Sequence, residues 1–160
     1  MEDDPRELKP QSQLGQSERC FGPCKGDGRI VAGETFNLVI ANPELVLLDE
    51  EVESLTLRSA LGDVAFLAHH APFVGEVDIC LASVVRAEGD LFQVVIDGGL
   101  VRAGGNRVVV LANDCELASD VGQESLDRRR QLFEDRVDEL DEALAANERR
   151  SMEIRASLID

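Results

Sequence analysis

Apolar and polar positions fall into three regimes along the 160 residues, and each regime predicts a different kind of structure. From residue 35 to 121, short runs rich in Val, Ile, Leu and Phe recur between turn-forming clusters: FNLVIA, ELVLL, VESLTL, VAFLA, ICLASVVRA, LFQVVI, GLVRA and RVVVLA. Asn42-Pro43, Gly62-Asp63, Glu88-Gly89-Asp90, Asp97-Gly98-Gly99 and Gly104-Gly105-Asn106 punctuate them, and Gly and Asn tolerate the positive φ that tight turns need. Strands this short and frequent predict an all-β sandwich or flattened barrel of about ten short antiparallel strands.

After Gly122 the period changes. Leu126, Phe133, Leu140, Asn147 and Ile154 form one seven-residue series, and Arg130, Val137, Leu144, Ser151 and Leu158 form another. This is an amphipathic α-helical pattern over residues 122–160. It reads either as a hairpin or as one helix over 125–158, about 50 Å long at roughly 1.5 Å per residue. Ala145-Ala146-Asn147 is the bend the sequence offers. Residues 1–34 have no periodic apolar pattern and are rich in Gln, Ser, Gly and Pro, which predicts a disordered extension. Val31 precedes a stretch that reads as a natural start, so a mis-assigned extension is an alternative that intact mass would decide.

The chain carries 32 acidic against 16 basic residues, a net charge of −16. Residues 35–121 hold most of the excess, which repels phosphate backbones and anionic headgroups and argues against nucleic acid or a membrane surface as partner. No apolar run is long enough to span a bilayer, so no direct membrane insertion is expected. The acidic, polar start is unlike a secretory signal. Cys20 and Cys24 have no second pair or histidine at zinc-site spacing, and Cys80 and Cys115 sit in apolar runs, so no metal is expected and a reducing compartment is the default. Ser59, Asp63, His69 and His70 lie close enough in sequence to imagine a hydrolase. No strand-to-helix G-x-S-x-G turn or phosphate-cradling glycine loop accompanies them, and GGNR at 104–107 reads as a hairpin turn. The carboxylates at Asp49, Glu50, Glu51 and Glu53 read as a solvated run at a strand boundary.

The order of motifs from Phe36 to Asp127 resembles the epsilon subunit of the F-type proton-translocating ATP synthase, called delta in mitochondria. GDVAFLAHHAPFVGEV is similar to that family's Gly-acid-x-Gly-Ile-Leu-x-x-His-Ala-Pro-Leu signature, and VIDGGLVRAGGNRVVVLANDCELASDV to its later strands and acidic close. The resemblance implies a non-catalytic rotor part in the central stalk, with a sandwich that binds the gamma subunit and rests on the c-ring. It implies a C-terminal helical segment that folds against the sandwich or extends into the alpha/beta catalytic head and inhibits ATP hydrolysis. A peripheral protein on the cytoplasmic side of a bacterial membrane follows, with no cofactor of its own. Asp63 and His70 match the signature's acid and histidine and become candidate c-ring contacts. Leu126-Asp127-Arg128-Arg129-Arg130-Gln131 resembles the Leu/Ile-Asp-x-x-Arg-Ala motif that binds regulatory ATP in some members, through Asp127 and Arg130; here Gln131 replaces the alanine. Ala65 and Ala68-His69 also depart from the family's glycine and Pro-Gly, and His69 has no family role. The rival reading is a free-standing β-sandwich adaptor that self-associates through a C-terminal coiled coil.

Overall fold

A computed structural model describes residues 33–159. The expectations for the extension before residue 33, including the Val31 start and the Cys20–Cys24 pair, lie outside the described residues. Seven strands come first: β1 (Phe36–Ala41), β2 (Val46–Ser59), β3 (Gly62–Leu67), β4 (Phe73–Arg86), β5 (Leu91–Gly104), β6 (Arg107–Ala112) and β7 (Cys115–Leu117). A 3-10 turn at Ala118–Asp120 leads into helix α1 (Gln123–Arg136), and another at Val137–Glu139 leads towards α2 (Glu142–Ile159).

The sheet runs β1-β6-β5-β4-β2-β3, with β7 on β5 and a further β1–β2 pairing. That last pairing closes a flattened barrel of five strands and leaves β3, bonded only to β2, as an edge. About ten short strands were predicted; the described residues form seven because β2, β4 and β5 each run for 14 residues and serve both layers. Nor is the sheet antiparallel throughout. β1 is antiparallel to β2 but parallel to β6, with Asn37 opposite Arg107 and Ala41 opposite Leu111.

The long strands bend at chemically marked places. Asp97-Gly98-Gly99, which the sequence suggests is a turn, is a corner inside β5. Gly99 has a φ of 141°, and a Cβ there would lie 2.1 Å from the Leu111 carbonyl oxygen, so only glycine lets β6 pass. The expected Gly62-Asp63 turn falls two residues earlier, at Ala60-Leu61, with Ser59 paired to Gly62. The Asp49–Glu51 run lies within β2 rather than at its boundary. Its side chains are held by neighbours: Asn37 Nδ2 donates to Asp49 at 2.9 Å, and Arg86 Nε to Glu50 at 2.8 Å.

Alternate positions of the strands fill the core, among them Phe36, Leu38, Ile40, Val52, Leu55, Phe66, Val84, Val94, Ile96 and Val110. Each such side chain contributes about 1.5–3 kcal/mol on burial, so this layer dominates stability. Cys80 and Cys115 are part of it. Burial, ahead of the neighbouring carboxylates, pushes the Cys115 thiol up to about 11.

The helical segment is a pair of helices, and the break is not at Ala145-Ala146-Asn147, which lies inside α2. It falls at 137–141, where Leu140 turns extended and the Asp141 carboxylate accepts the Leu144 N–H at 2.8 Å. Asp141 is therefore the N-cap of α2. The seven-residue seam is interrupted accordingly: Leu144 is half exposed, while Ala145, Ser151 and Arg155 are the buried positions of α2.

Candidate interaction surfaces

The edge strand β3 carries both residues singled out in its neighbourhood, at opposite ends. Asp63 stands at its start and His70 just beyond its last residue, which puts about 15–20 Å between them at roughly 3.3 Å per residue. Arg58 grips Asp63 with two hydrogen bonds, Nε to Oδ1 at 2.9 Å and Nη2 to Oδ2 at 3.4 Å. These bonds hold the Asp63 carboxyl below its ordinary value. His70 is half-buried, its ring centroid 4.9 Å from that of Phe66. Its Nδ1 lies 2.7 Å from the Ala71 carbonyl oxygen, which fixes the Nδ1–H tautomer. Between the two ends, Ala65 and the exposed Leu67 point outward.

His69 occupies the turn after β3 with a φ of 57°. Its backbone N–H donates to Asn106 Oδ1 at 2.9 Å, while Asn106 Nδ2 donates to the Thr35 carbonyl at 2.9 Å. Asn106 and Gly105 both have positive φ in a two-residue hairpin, as GGNR predicted. One side chain thus ties three segments together at this end of the sandwich.

An apolar row crosses the other end of the sheet. Val46 pairs with Ala41, Ala41 with Leu111, and Leu111 with Leu100. Val46 is 61% exposed, Leu111 57% and Leu100 52%. Val46, Leu111 and Leu100 thus form an exposed apolar row across neighbouring strands.

On α1, Asp127 accepts from Gln123 at 2.9 Å and pairs with Arg130 at 3.6 Å, both side chains exposed. A cleft of about 610 Å³ beside α1 is lined by Arg128, Arg129 and Arg136, but by neither Asp127 nor Arg130. The hydrolase constellation does not come together: the Ser59 hydroxyl donates to the Gly62 carbonyl, and Asp63 and His70 stay apart.

Residues 35–118 match the family model described as the ATP synthase delta/epsilon chain, β-sandwich domain. The chain belongs to the ATP synthase delta/epsilon family. Among delta/epsilon relatives it is 31% identical to the chloroplast ATP synthase epsilon chain of Calycanthus floridus var. glaucus over 100 residues, 62% of this chain and 75% of the relative. It is 32% identical to the chloroplast epsilon chain of Nicotiana tabacum over 103 residues, 64% and 77% of the two chains. A chain in the cryo-EM structure of the Euglena gracilis mitochondrial ATP synthase, comprising OSCP, F1 and c-ring, matches with a TM-score of 0.58 and 25% identity over 98% of this chain and 97% of that one. A Tetrahymena thermophila chain from a central stalk and c-ring structure has a TM-score of 0.55 at 13% identity, covering 80% and 98%, and shares the fold. As a delta/epsilon chain this protein is a non-catalytic component of the synthase. The delta/epsilon sandwich is accompanied here by a joint the sequence did not reveal, in which Arg129 and Arg155 of the helices meet Asp97, Asp114 and Glu116 of the sandwich. Neither arginine falls in the two seven-residue series, so the periodicity gave no signal for the joint.

Proposed function

We propose that this chain is the epsilon-type rotor subunit of an F-type ATP synthase, coupling proton-driven rotation of the c-ring to synthesis in the catalytic head through the gamma subunit. The observation that carries the reading is the exposed apolar row Val46–Ala41–Leu111–Leu100 on a delta/epsilon sandwich. A row of this kind suits the gamma subunit, since a permanent interface wants an apolar centre. The c-ring contact runs along the β3 edge from Asp63 to His70, where an unpaired backbone and half-exposed side chains face outward. Asp63 is already engaged by Arg58, so it tunes that contact more than it anchors it. The helical pair reaches the alpha/beta head when extended and slows hydrolysis there. In this reading the protein is peripheral, on the cytoplasmic side of a bacterial membrane; no helix among the described residues is long and apolar enough to cross one. Asp127 and Arg130 stay candidate regulatory-ATP residues by resemblance alone; they pair with each other at 3.6 Å and do not line the neighbouring cleft.

Co-purification tests the reading. Gamma subunit should be retained by the natural chain and lost, by at least tenfold in affinity, from a Leu100→Glu, Leu111→Glu double variant with an unchanged circular dichroism spectrum. Equal retention by both would overturn the assignment of this face.

A further inference from the structure

Arg155 is 1% exposed, the one charged side chain fully buried among the described residues, and it lies on α2 pointing into the sandwich. Its Nη1 and Nη2 donate to the two oxygens of Asp97 at 2.9 and 3.0 Å, a bidentate grip on the corner of β5. Its Nε donates to Glu116 of β7, and Nη1 also to the Ser151 hydroxyl one turn back. From α1, Arg129 reaches the same Asp97 at 3.3 Å and also bonds Asp114. Two helix arginines therefore share three sandwich carboxylates, and Arg150 of α2 adds a separate, more exposed pair with Asp78 of β4 at 3.1 Å. Leu126 and Ala145 are the only fully buried apolar side chains of the helices among the described residues, with Met152, Ile154 and Leu158 partly buried.

A joint of this composition behaves unlike a leucine seam. When a leucine interface opens, apolar surface meets water and the cost is fixed by area. When an ion cluster opens, every member regains hydration, so the pairing and the resolvation nearly cancel. Removing a single member while the joint stays closed is different, because the remaining charges are buried without a partner. Salt acts on the opened state: buried pairs are screened little, but the freed carboxylates are exposed, and their mutual repulsion is screened as the screening length falls from about 8 Å at 0.15 M to about 3 Å at 1 M ionic strength.

We propose that Arg155 is an ionic pin that holds the helical pair on the sandwich and lets it leave as a unit while the barrel stays folded. The closed form needs the guanidinium in that one position, between Asp97 and Glu116. The opened sandwich keeps Asp97, Asp114 and Glu116 together, and their mutual repulsion favours the return of the arginines. The pin governs the same helical segment to which the rotor reading gives an inhibitory role; its use in the complex rests on that reading, though its existence does not.

Amide hydrogen exchange on the isolated full chain tests it. Between 0.05 and 1 M NaCl, exchange across α1 and α2 should speed up at least tenfold while core amides of β4 and β5 hold their protection. Arg155→Met should speed helix exchange at low salt and weaken the salt dependence, leaving only what the Arg129 and Arg150 pairs contribute. Adding Asp97→Asn and Glu116→Gln to Arg155→Met should restore helix protection, since no unpaired charge then remains. Helix protection indifferent to salt and to Arg155→Met would overturn the proposal, as would loss of barrel protection together with the helices. Should Arg155→Met fold poorly, Glu116→Gln and the salt series on the natural chain give the same discrimination. None of these readouts involves ATP hydrolysis, so a complex whose activity ignores the helices would refute the inhibitory role and leave the pin standing.

Discussion

His69 is held in a left-handed conformation that glycine adopts without strain. Only its backbone is used, through the N–H given to Asn106; the ring reaches no further than an exposed 3.6 Å approach to Glu34. Replacing His69 by Gly should therefore raise stability by about 0.5–1 kcal/mol in urea unfolding, with the midpoint moving and the slope unchanged. Asp63 offers a second check. With its pKa depressed by Arg58, the stabilisation it gives is present above the ordinary carboxylate range and fades as pH falls through the depressed value. An NMR titration should place the Asp63 midpoint below that of a free aspartate, and Arg58→Ala should return it to the ordinary range. At this scale the sequence was legible where a residue's type dictates its backbone, as at Gly105-Asn106. It was opaque where a role depends on a partner 37 positions away, as for His69 and Asn106.

The elements were legible from their periods, and their ends were not. The helix break was sought at alanines and an asparagine because no glycine or proline follows Gly122. What decides it is a cap: Asp141 accepts the Leu144 N–H and starts α2, with Glu142 in the favourable first turn. Asp141→Ala should cost α2 about 1 kcal/mol, seen as faster exchange confined to its first turn and a lower helical signal. The same confusion of corner with turn split β5 in the sequence reading. Glycines that let one strand bend past another look, in one dimension, like glycines that end a strand. Only the 2.1 Å approach of the Leu111 carbonyl to the would-be Gly99 Cβ separates the two cases.

For the molecule as a whole, fold class and family could be read from the order of motifs, but the helix–sandwich joint could not. Its members are drawn from β5, β7, the loop between β6 and β7, and both helices, and no local pattern relates them. Because the barrel closes through strand pairings that involve no helix residue, deleting residues 122–160 should leave it folded. Assembled complex lacking those residues should keep its rotor and hydrolyse ATP severalfold faster; unchanged hydrolysis would remove the inhibitory role. The parallel pairing of β1 with β6 bears on the protein's birth as well. β1 can form a hairpin with β2 as soon as both leave the ribosome, but its other edge waits for Arg107 and its neighbours. At roughly 5–20 residues per second, that wait lasts several seconds. Throughout it, an apolar strand stands with one side unclaimed beside other nascent chains, so the strand that completes the barrel is also the one most in need of a chaperone.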